Sequence, residues 1–443
     1  MKHSSILSIK LAPKECSRTL AHYPLGCIGL RLHLRLMSVK KPPPKHYHLF
    51  FRSFFTAKFK SAMLISLFPE ESAMLNKFSV KNFRNFSDWL TFDLSSQQYE
   101  FNSHVVHGGS VLHGMIYGPN GGGKSNLGLA MVDPILHLID SPSFLNSLDN
   151  NYLNGGMGIE LAEFAFDFKI DGIDINYRYG KKSRAQMVYE NLIIDGNEVL
   201  DIDRRESPHA TIHLQGAESL KTDVGHSEIS LLKYVRNNAI LDETPINQSL
   251  AKLFDFIEGM VFFRSLDSNR IGEYVGKNIG VKRLSQSIIE SGSLKDFEKF
   301  LSEAGIECSL IVDVGNNGEK SIFFDFGSTK LEFGLAASTG TLSLGIFYFW
   351  WLRFQNKNIT FAYIDEFDAF YHHALASNIV DKVAHSSCQT IMTTHNTGVM
   401  SNDLLRPDCY FILDKTIKPI TALTGKELRK AHNLEKIYKG MSS

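Results

Sequence analysis

The chain has 443 residues, 43% of them hydrophobic and 21% charged, and its 47 basic residues balance 47 acidic ones. That is the composition of an ordinary globular protein, with room for one elaborated domain or two. No charge-free apolar run approaches the roughly 18 residues a membrane-spanning helix needs, and the cysteines (Cys16, Cys27, Cys308, Cys388, Cys409) lack CxxC or metal-ligand spacing. They read as reduced thiols, which points to a cytoplasmic protein.

The neutral total conceals an asymmetry. Residues 1–73 hold 12 Lys and Arg against 3 acids (Glu15, Glu70, Glu71), a balance of +9, so the remainder stands at −9. The segment has no sustained helix or strand period and contains the basic, proline-rich run from Lys40 to Lys45. Three readings compete: a basic arm for nucleic acid, a targeting segment, or a stretch outside the working protein. The third is preferred, because sensible strand patterning begins directly after Met74. Met74, or alternatively Met63, is the expected functional start, and residues 74–443 are the expected working domain.

From Phe78 to Leu94 apolar residues alternate as in a strand pair, with Arg84-Asn85 at the turn. An apolar run (Val111, Leu112, Met115, Ile116, Tyr117) then leads into Gly118, Pro119, Asn120, Gly121, Gly122, Gly123, Lys124 and Ser125. A helical pattern follows from Asn126 through Leu127, Met131, Ile135 and Leu138. A GxxxxGK[ST] run between a strand and a helix is a phosphate-binding loop: its glycines let backbone N–H groups turn inward, and the helix points its positive end at the anion. Lys124 is expected on the β- and γ-phosphates and Ser125 on Mg²⁺. Pro134 should kink or end the helix near Val132–Asp133.

Residues 141–158 read as a loop. Three strands follow, Glu160–Ile170, Ile173–Tyr179 and Met187–Ile194, with Asp171-Gly172 and Asp195-Gly196 as turn signals. They should form an antiparallel layer that continues the first strand pair. Periodicity turns helical over about 205–305, and no heptad pattern persists long enough for coiled-coil arms. Residues 306–335 look like another strand pair.

The last third supplies partners for the loop. Ile359–Ile364 reads as a buried strand that delivers Asp365 and Glu366 at its C-terminal end, where an open α/β sheet places ligand chemistry. Asp365 suits Mg²⁺, through water, and Glu366 suits orienting and deprotonating an attacking water. Gln389–Thr394 repeats the design and ends in His395-Asn396. His395 could donate to a γ-phosphate oxygen. Upstream, Ala337–Thr341 opens an apolar helix, and two readings stay open: an anion site at a helix N-terminus, or a plain cap by Ser338 or Thr339.

Taken together, these segments resemble the ATP-binding-cassette type of ATPase head. The branch is the one that includes RecF-like, Rad50-like and overcoming-lysogenization-defect proteins, and the likeness is greatest to AAA-type ATPases of the abortive-infection group. The likeness rests on Lys81–Phe86, Gly118–Asn126, Ala337–Thr341, Tyr363–His372, Thr393–Asn396 and the tail Arg429–Gly440. It implies an α/β P-loop fold: a mixed sheet with an antiparallel β layer and a helical insertion. It implies ATP and Mg²⁺ as ligands, and two heads packed head to tail, with Ser338 and Gly340 of one capping the γ-phosphate on the loop of the other. Asp368 would then lie near the dimer seam, Arg84 could approach the nucleotide, and His372 stands where relatives carry a Leu-His-Pro histidine, although Tyr371-His372-His373 replaces that tripeptide. No glutamine can be placed as the usual Q-loop residue. Fewer than 50 residues follow His395, so the expected effector, a nuclease or toxin in phage defence, is separately encoded. The alternative is a nucleotide-gated DNA-binding protein of repair or recombination.

Overall fold

The computed structural model describes residues 73–140, 151–156, 158, 160–265, 274–277, 284–315, 318–425 and 427–441. The expectations about the basic segment therefore fall outside the described residues, save Ala73, as does most of the loop expected over 141–158.

Two seven-stranded sheets carry the architecture. The first is antiparallel, in the order Thr211–Ile212, Asn197–Asp203, Met187–Ile194, Ile173–Lys181, Ala162–Ile170, Ala73–Lys81, Leu90–Asp93. Both central residues of its two Asp-Gly turns have positive φ (51° and 82°, then 50° and 74°), the backbone a two-residue hairpin requires. Burial alternates strictly along Ala162–Ile170, so that Phe164, Phe166 and Phe168 enter the core while Glu163, Asp167 and Lys169 point outward. The strand Ala73–Lys81 pairs with Ala162–Ile170, so the first hairpin and the later strands form one layer, as expected.

The second sheet has the order Tyr274–Gly276, Met260–Arg264, Phe361–Asp365, Gln389–Thr393, His113–Tyr117, Tyr410–Leu413, Ile417–Pro419. Its five central strands are parallel. His113–Tyr117, Phe361–Asp365 and Gln389–Thr393 are buried at every residue, as in strands covered on both faces, so none of them alternates between buried and exposed positions. Gln389 ties the two sheets together. Its side chain accepts from the Leu75 N–H at 2.9 Å and donates to the carbonyls of Leu75 and Val111 at 2.9 and 3.0 Å.

The span read as helical, 205–305, does hold four helices: Leu231–Asn238, Pro245–Glu258, Leu284–Glu290 and Leu294–Glu303. It also holds Met260–Arg264, a strand of the parallel sheet, and this corrects the expectation. A run of four buried apolar residues, Met260 to Phe263, has no period that separates strand from helix. A third, small sheet (Leu310–Val314, Lys320–Asp325, Lys330–Glu332) adds one strand to the pair expected there. Among the described residues no helix is long and apolar enough to cross a membrane.

Pro134 acts as expected. The helix Lys124–Met131 ends, and Asp133 precedes a short helix Pro134–Leu138. The break turns the Asp133 carboxylate into the antiparallel layer, where it accepts from the hydroxyls of Tyr152 (3.0 Å) and Tyr179 (2.9 Å) and from Lys181 Nζ (2.9 Å). The Asp133 and Lys181 side chains are 1% and 0% exposed. His137 Nε2 contacts the Tyr177 hydroxyl at 2.9 Å, and Tyr177 in turn donates to Glu190, which also accepts from Ser230 and the Leu231 N–H. Burial holds the His137 imidazole well below its ordinary pKa, so it sits neutral beside the Lys181 ammonium.

Removing one partner of a buried ion pair leaves a charge without water or a counter-ion. Lys181→Met is therefore expected to destabilise the fold by about 3–5 kcal/mol in chemical denaturation, and the double change Lys181→Met/Asp133→Asn to recover most of that loss.

Candidate functional site

The parallel register assembles the site. Pairing of Met115 with Met392, Ile364 with Met392, and Arg264 with Asp365 sets four strand ends side by side at one sheet edge. Three of those ends carry the sequence-predicted groups.

The loop Gly118–Gly123 leaves the strand His113–Tyr117, and Gly123 starts the helix Lys124–Met131 with φ of 97°. A side chain there would be strained by the backbone and would strike the Asn85 amide at 2.4 Å, so glycine is required. Lys124 folds back over the loop. Its ammonium donates to the carbonyls of Gly118 (3.0 Å) and Pro119 (3.2 Å) and lies 2.9 Å from His395 Nε2. Pro119 and Asn120 are exposed at the loop tip, and Ser125 and Asn126 are half-buried at the helix start. Asn126 accepts from Arg84 at 3.4 Å and donates to Asn85 at 2.7 Å, so the first hairpin's turn does reach the loop.

A second link joins loop and acidic strand. The Tyr363 hydroxyl donates to the Lys124 carbonyl at 2.5 Å. Its ring fits because position 128 is glycine; a Cβ there would lie 2.3 Å from the ring. The loop helix therefore rests directly on the strand that ends in Asp365.

Asp365 is 1% exposed. Its Oδ1 accepts from the Thr393 hydroxyl at 2.9 Å and its Oδ2 from Arg264 Nε at 3.0 Å. Glu366 is exposed and adopts φ of 48°, a left-handed conformation uncommon outside glycine. Three bonds hold it there: its N–H donates to the Thr393 hydroxyl at 2.8 Å, and its carbonyl accepts from the Ser265 hydroxyl and from the Ala369 N–H at 3.1 Å. Asp368 is buried and accepts from Thr394 at 2.7 Å, and burial raises its carboxyl pKa.

His395 is brought to the loop as expected, with a difference in proton placement. Because an ammonium only donates, Nε2 accepts here and the imidazole proton sits on Nδ1. Burial, and then the neighbouring Lys124 charge, lower the His395 pKa; the same burial lowers that of Lys124, against the pull of Asp365 and Glu366.

Ser338 and Gly340 are not brought to this cluster: among the described residues no hydrogen bond joins either to the loop. Ser338 is the N-cap of the helix Thr339–Gln355, its hydroxyl accepting from the Thr341 N–H at 3.2 Å. His372 likewise caps a helix, His373–Ala384, and accepts from the Leu375 N–H at 3.3 Å. That is a structural use of the side chain. Arg264 and Ser265 escaped the sequence reading, and Tyr363 and Thr393, though within segments that carry the resemblance, had no role assigned. Arg264 had a usable signal, since it ends an apolar run in the same way that Asp365 does.

The residues present fit a magnesium-bound nucleotide. The loop presents backbone amides under a helix N-terminus, and Ser125, Asp365 and Glu366 offer only oxygen donors, which suit Mg²⁺. Among the described residues no group of three or more His, Cys, Asp or Glu side chains could hold an ion unaided. Mg²⁺ ordinarily sits between one or two protein oxygens, waters and substrate phosphates.

Residues 115–401 match the protein family described as "AAA domain, putative AbiEii toxin, Type IV TA system". The chain belongs to this family. Among solved structures it is similar to the Smc head domain from Pyrococcus furiosus bound to the C-terminal domain of ScpA (14% identity, 84% of this chain and 100% of that one, TM-score 0.40). It is also similar to the SMC head domain from Thermotoga maritima (14%, 78% and 98%, TM-score 0.35) and to the recombination mediator protein RecF-ATP (14%, 79% and 99%, TM-score 0.38). No curated protein matches it in sequence.

The Lys124–His395 contact has a measurable consequence. In an NMR pH titration His395 should titrate below the ordinary histidine value of about 6.5, and Lys124→Ala should move its midpoint upward.

Proposed function

We propose that this AAA-family protein binds and hydrolyses ATP with Mg²⁺, closes on ATP as a head-to-tail dimer, and thereby regulates a separately encoded effector, a nuclease or toxin, in phage defence. The observation that carries the ATPase reading is the convergence of Lys124, Asp365, Glu366 and His395 at one sheet edge, with Lys124 Nζ 2.9 Å from His395.

In this reading the loop amides and Lys124 hold the phosphates, and Ser125 and Asp365 face the ion. Bound Mg²⁺ neutralises charge that develops on the phosphoryl oxygens. Glu366, exposed on its strained turn, takes the proton of the attacking water. Thr393 supports both acids, through the Asp365 carboxylate and the Glu366 amide. His395 senses the γ-phosphate; to donate through Nε2 it must leave Lys124 and carry a proton there, by tautomer exchange or by gaining a second proton. Ser338 and Gly340, at a helix N-terminus with no hydrogen bond to their own loop among the described residues, suit a γ-phosphate on the loop of a second copy, with the Ser338 hydroxyl leaving its cap. The step to phage defence rests on family resemblance alone; the matched family's description names a putative AbiEii toxin of a type IV TA system.

Lys124→Ala should abolish ATP binding in equilibrium dialysis. Glu366→Gln should keep binding, lose about 10²–10⁴-fold in turnover, and accumulate dimer in light scattering with ATP. Hydrolysis by Glu366→Gln at the parental rate would remove the base assignment. Mixing Lys124→Ala with Ser338→Arg subunits should leave at most one composite site per dimer. Strong stimulation of the parental ATPase by any DNA would favour a nucleotide-gated DNA-binding protein instead.

A further inference from the structure

Asp365 is the acid expected to face the divalent cation, yet both its oxygens are already engaged by side chains. Thr393 donates to Oδ1 and Arg264 to Oδ2, at 2.9 and 3.0 Å. The Arg264 contact is built into the backbone: Met260–Arg264 and Phe361–Asp365 are parallel neighbours, and Arg264 and Asp365 are register partners. The carboxylate is 1% exposed, whereas the Arg264 side chain is 37% exposed. The guanidinium is therefore anchored on the buried acid while part of it stays open to solvent, at the row of strand ends that also carries the loop. It is one of several cations there. Lys124 feels the charge of Asp365 and Glu366, and Arg84, hydrogen-bonded to Asn126 at the loop helix, lies close enough to Arg264 to feel its charge.

A buried carboxylate that holds a guanidinium is electrically complete. A divalent cation approaching the same oxygen meets a like charge a few ångströms away and must displace it or share it. Arginine does not lose its proton to make way; it has to move, and its exposed flank leaves it space to do so.

We propose that Arg264 is a positioning residue that competes with the divalent cation for Asp365. It holds the carboxylate in register until metal and nucleotide arrive together, so that the nucleotide phosphates receive the guanidinium that the metal releases. This deepens the proposed ATPase reading and rests on it. It also assigns a role to the end of the Met260–Arg264 strand, where no glutamine is available.

The test is equilibrium binding of a fluorescent ATP analogue to the full chain, titrated with Mg²⁺ from EDTA upward. In Arg264→Gln the half-saturating Mg²⁺ concentration should fall at least about tenfold, because a nearby positive charge has been removed. Arg264→Lys, which keeps the charge, should retain the parental requirement, and in an Asp365→Asn background the Arg264→Gln change should produce no shift. An unchanged or higher Mg²⁺ requirement in folded Arg264→Gln overturns the proposal. Should Arg264→Gln fail to fold, a lowered requirement in Arg264→Lys overturns it equally. A parental protein that binds no ATP at any Mg²⁺ concentration overturns the ATPase reading and this proposal with it. A parental protein that binds ATP, with an unshifted Arg264→Gln curve, removes the proposal alone.

Discussion

The candidate site depends on one constraint, the register of five parallel strands. Parallel pairing sets strand ends in a row, and here four of those ends carry Arg264, Asp365, the glycine loop and Thr393-Thr394-His395. Slipping any strand by one residue would turn its side chains to the opposite face. Continuous burial of the strands resists such slips, and so does the Tyr363 hydroxyl bonded to Lys124. Chemistry at the edge is thus positioned by packing well beneath it.

The antiparallel layer meets this sheet partly through polar contacts. Asp133, Lys181, His137, Tyr177, Tyr179 and Glu190 form a buried chain of hydrogen bonds that begins at the proline break after the loop helix. Such groups contribute little net stability compared with apolar residues of the same volume. Their effect here is geometric. Asp133 accepts three bonds of fixed direction, so the loop helix has one permitted seat against the layer. Gln389 acts similarly from the other side, fixing the first hairpin against the parallel sheet.

What was legible in the sequence was local. The glycine loop, the Asp-Gly hairpins, the alternation in Ala162–Ile170 and the break at Pro134 each depend on residues within one turn or strand. Asp365, Glu366 and His395 were legible because apolar strands deliver polar groups at their ends in a recurring way. Arg264 was lost since its five-residue strand sits among helices, where a short apolar run carries no period. The Asp133–Lys181 pair was beyond reach, since nothing in either neighbourhood marks a partner 48 positions away. Ser338 was legible as two things, and within one chain it is a helix cap.

The order of strands has a consequence for how the protein is made. The antiparallel layer is drawn entirely from residues 73–212, whereas the parallel sheet takes neighbours from positions near 113, 260, 361, 389 and 410. On a ribosome the first layer has its full complement of strands before Met260–Arg264, Phe361–Asp365, Gln389–Thr393 or Tyr410–Leu413 has been synthesised. The glycine loop emerges early too, but the strands on either side of its own, Gln389–Thr393 and Tyr410–Leu413, appear about 270 to 300 positions later. Closing that sheet carries the large loop-entropy cost of non-local pairing and leaves an apolar strand edge waiting in the meantime. A nascent chain halted before the strand Tyr410–Leu413 would therefore carry the whole phosphate-loop sequence in a sheet still missing one neighbour, so the site would be assembled only after the antiparallel layer has all its strands.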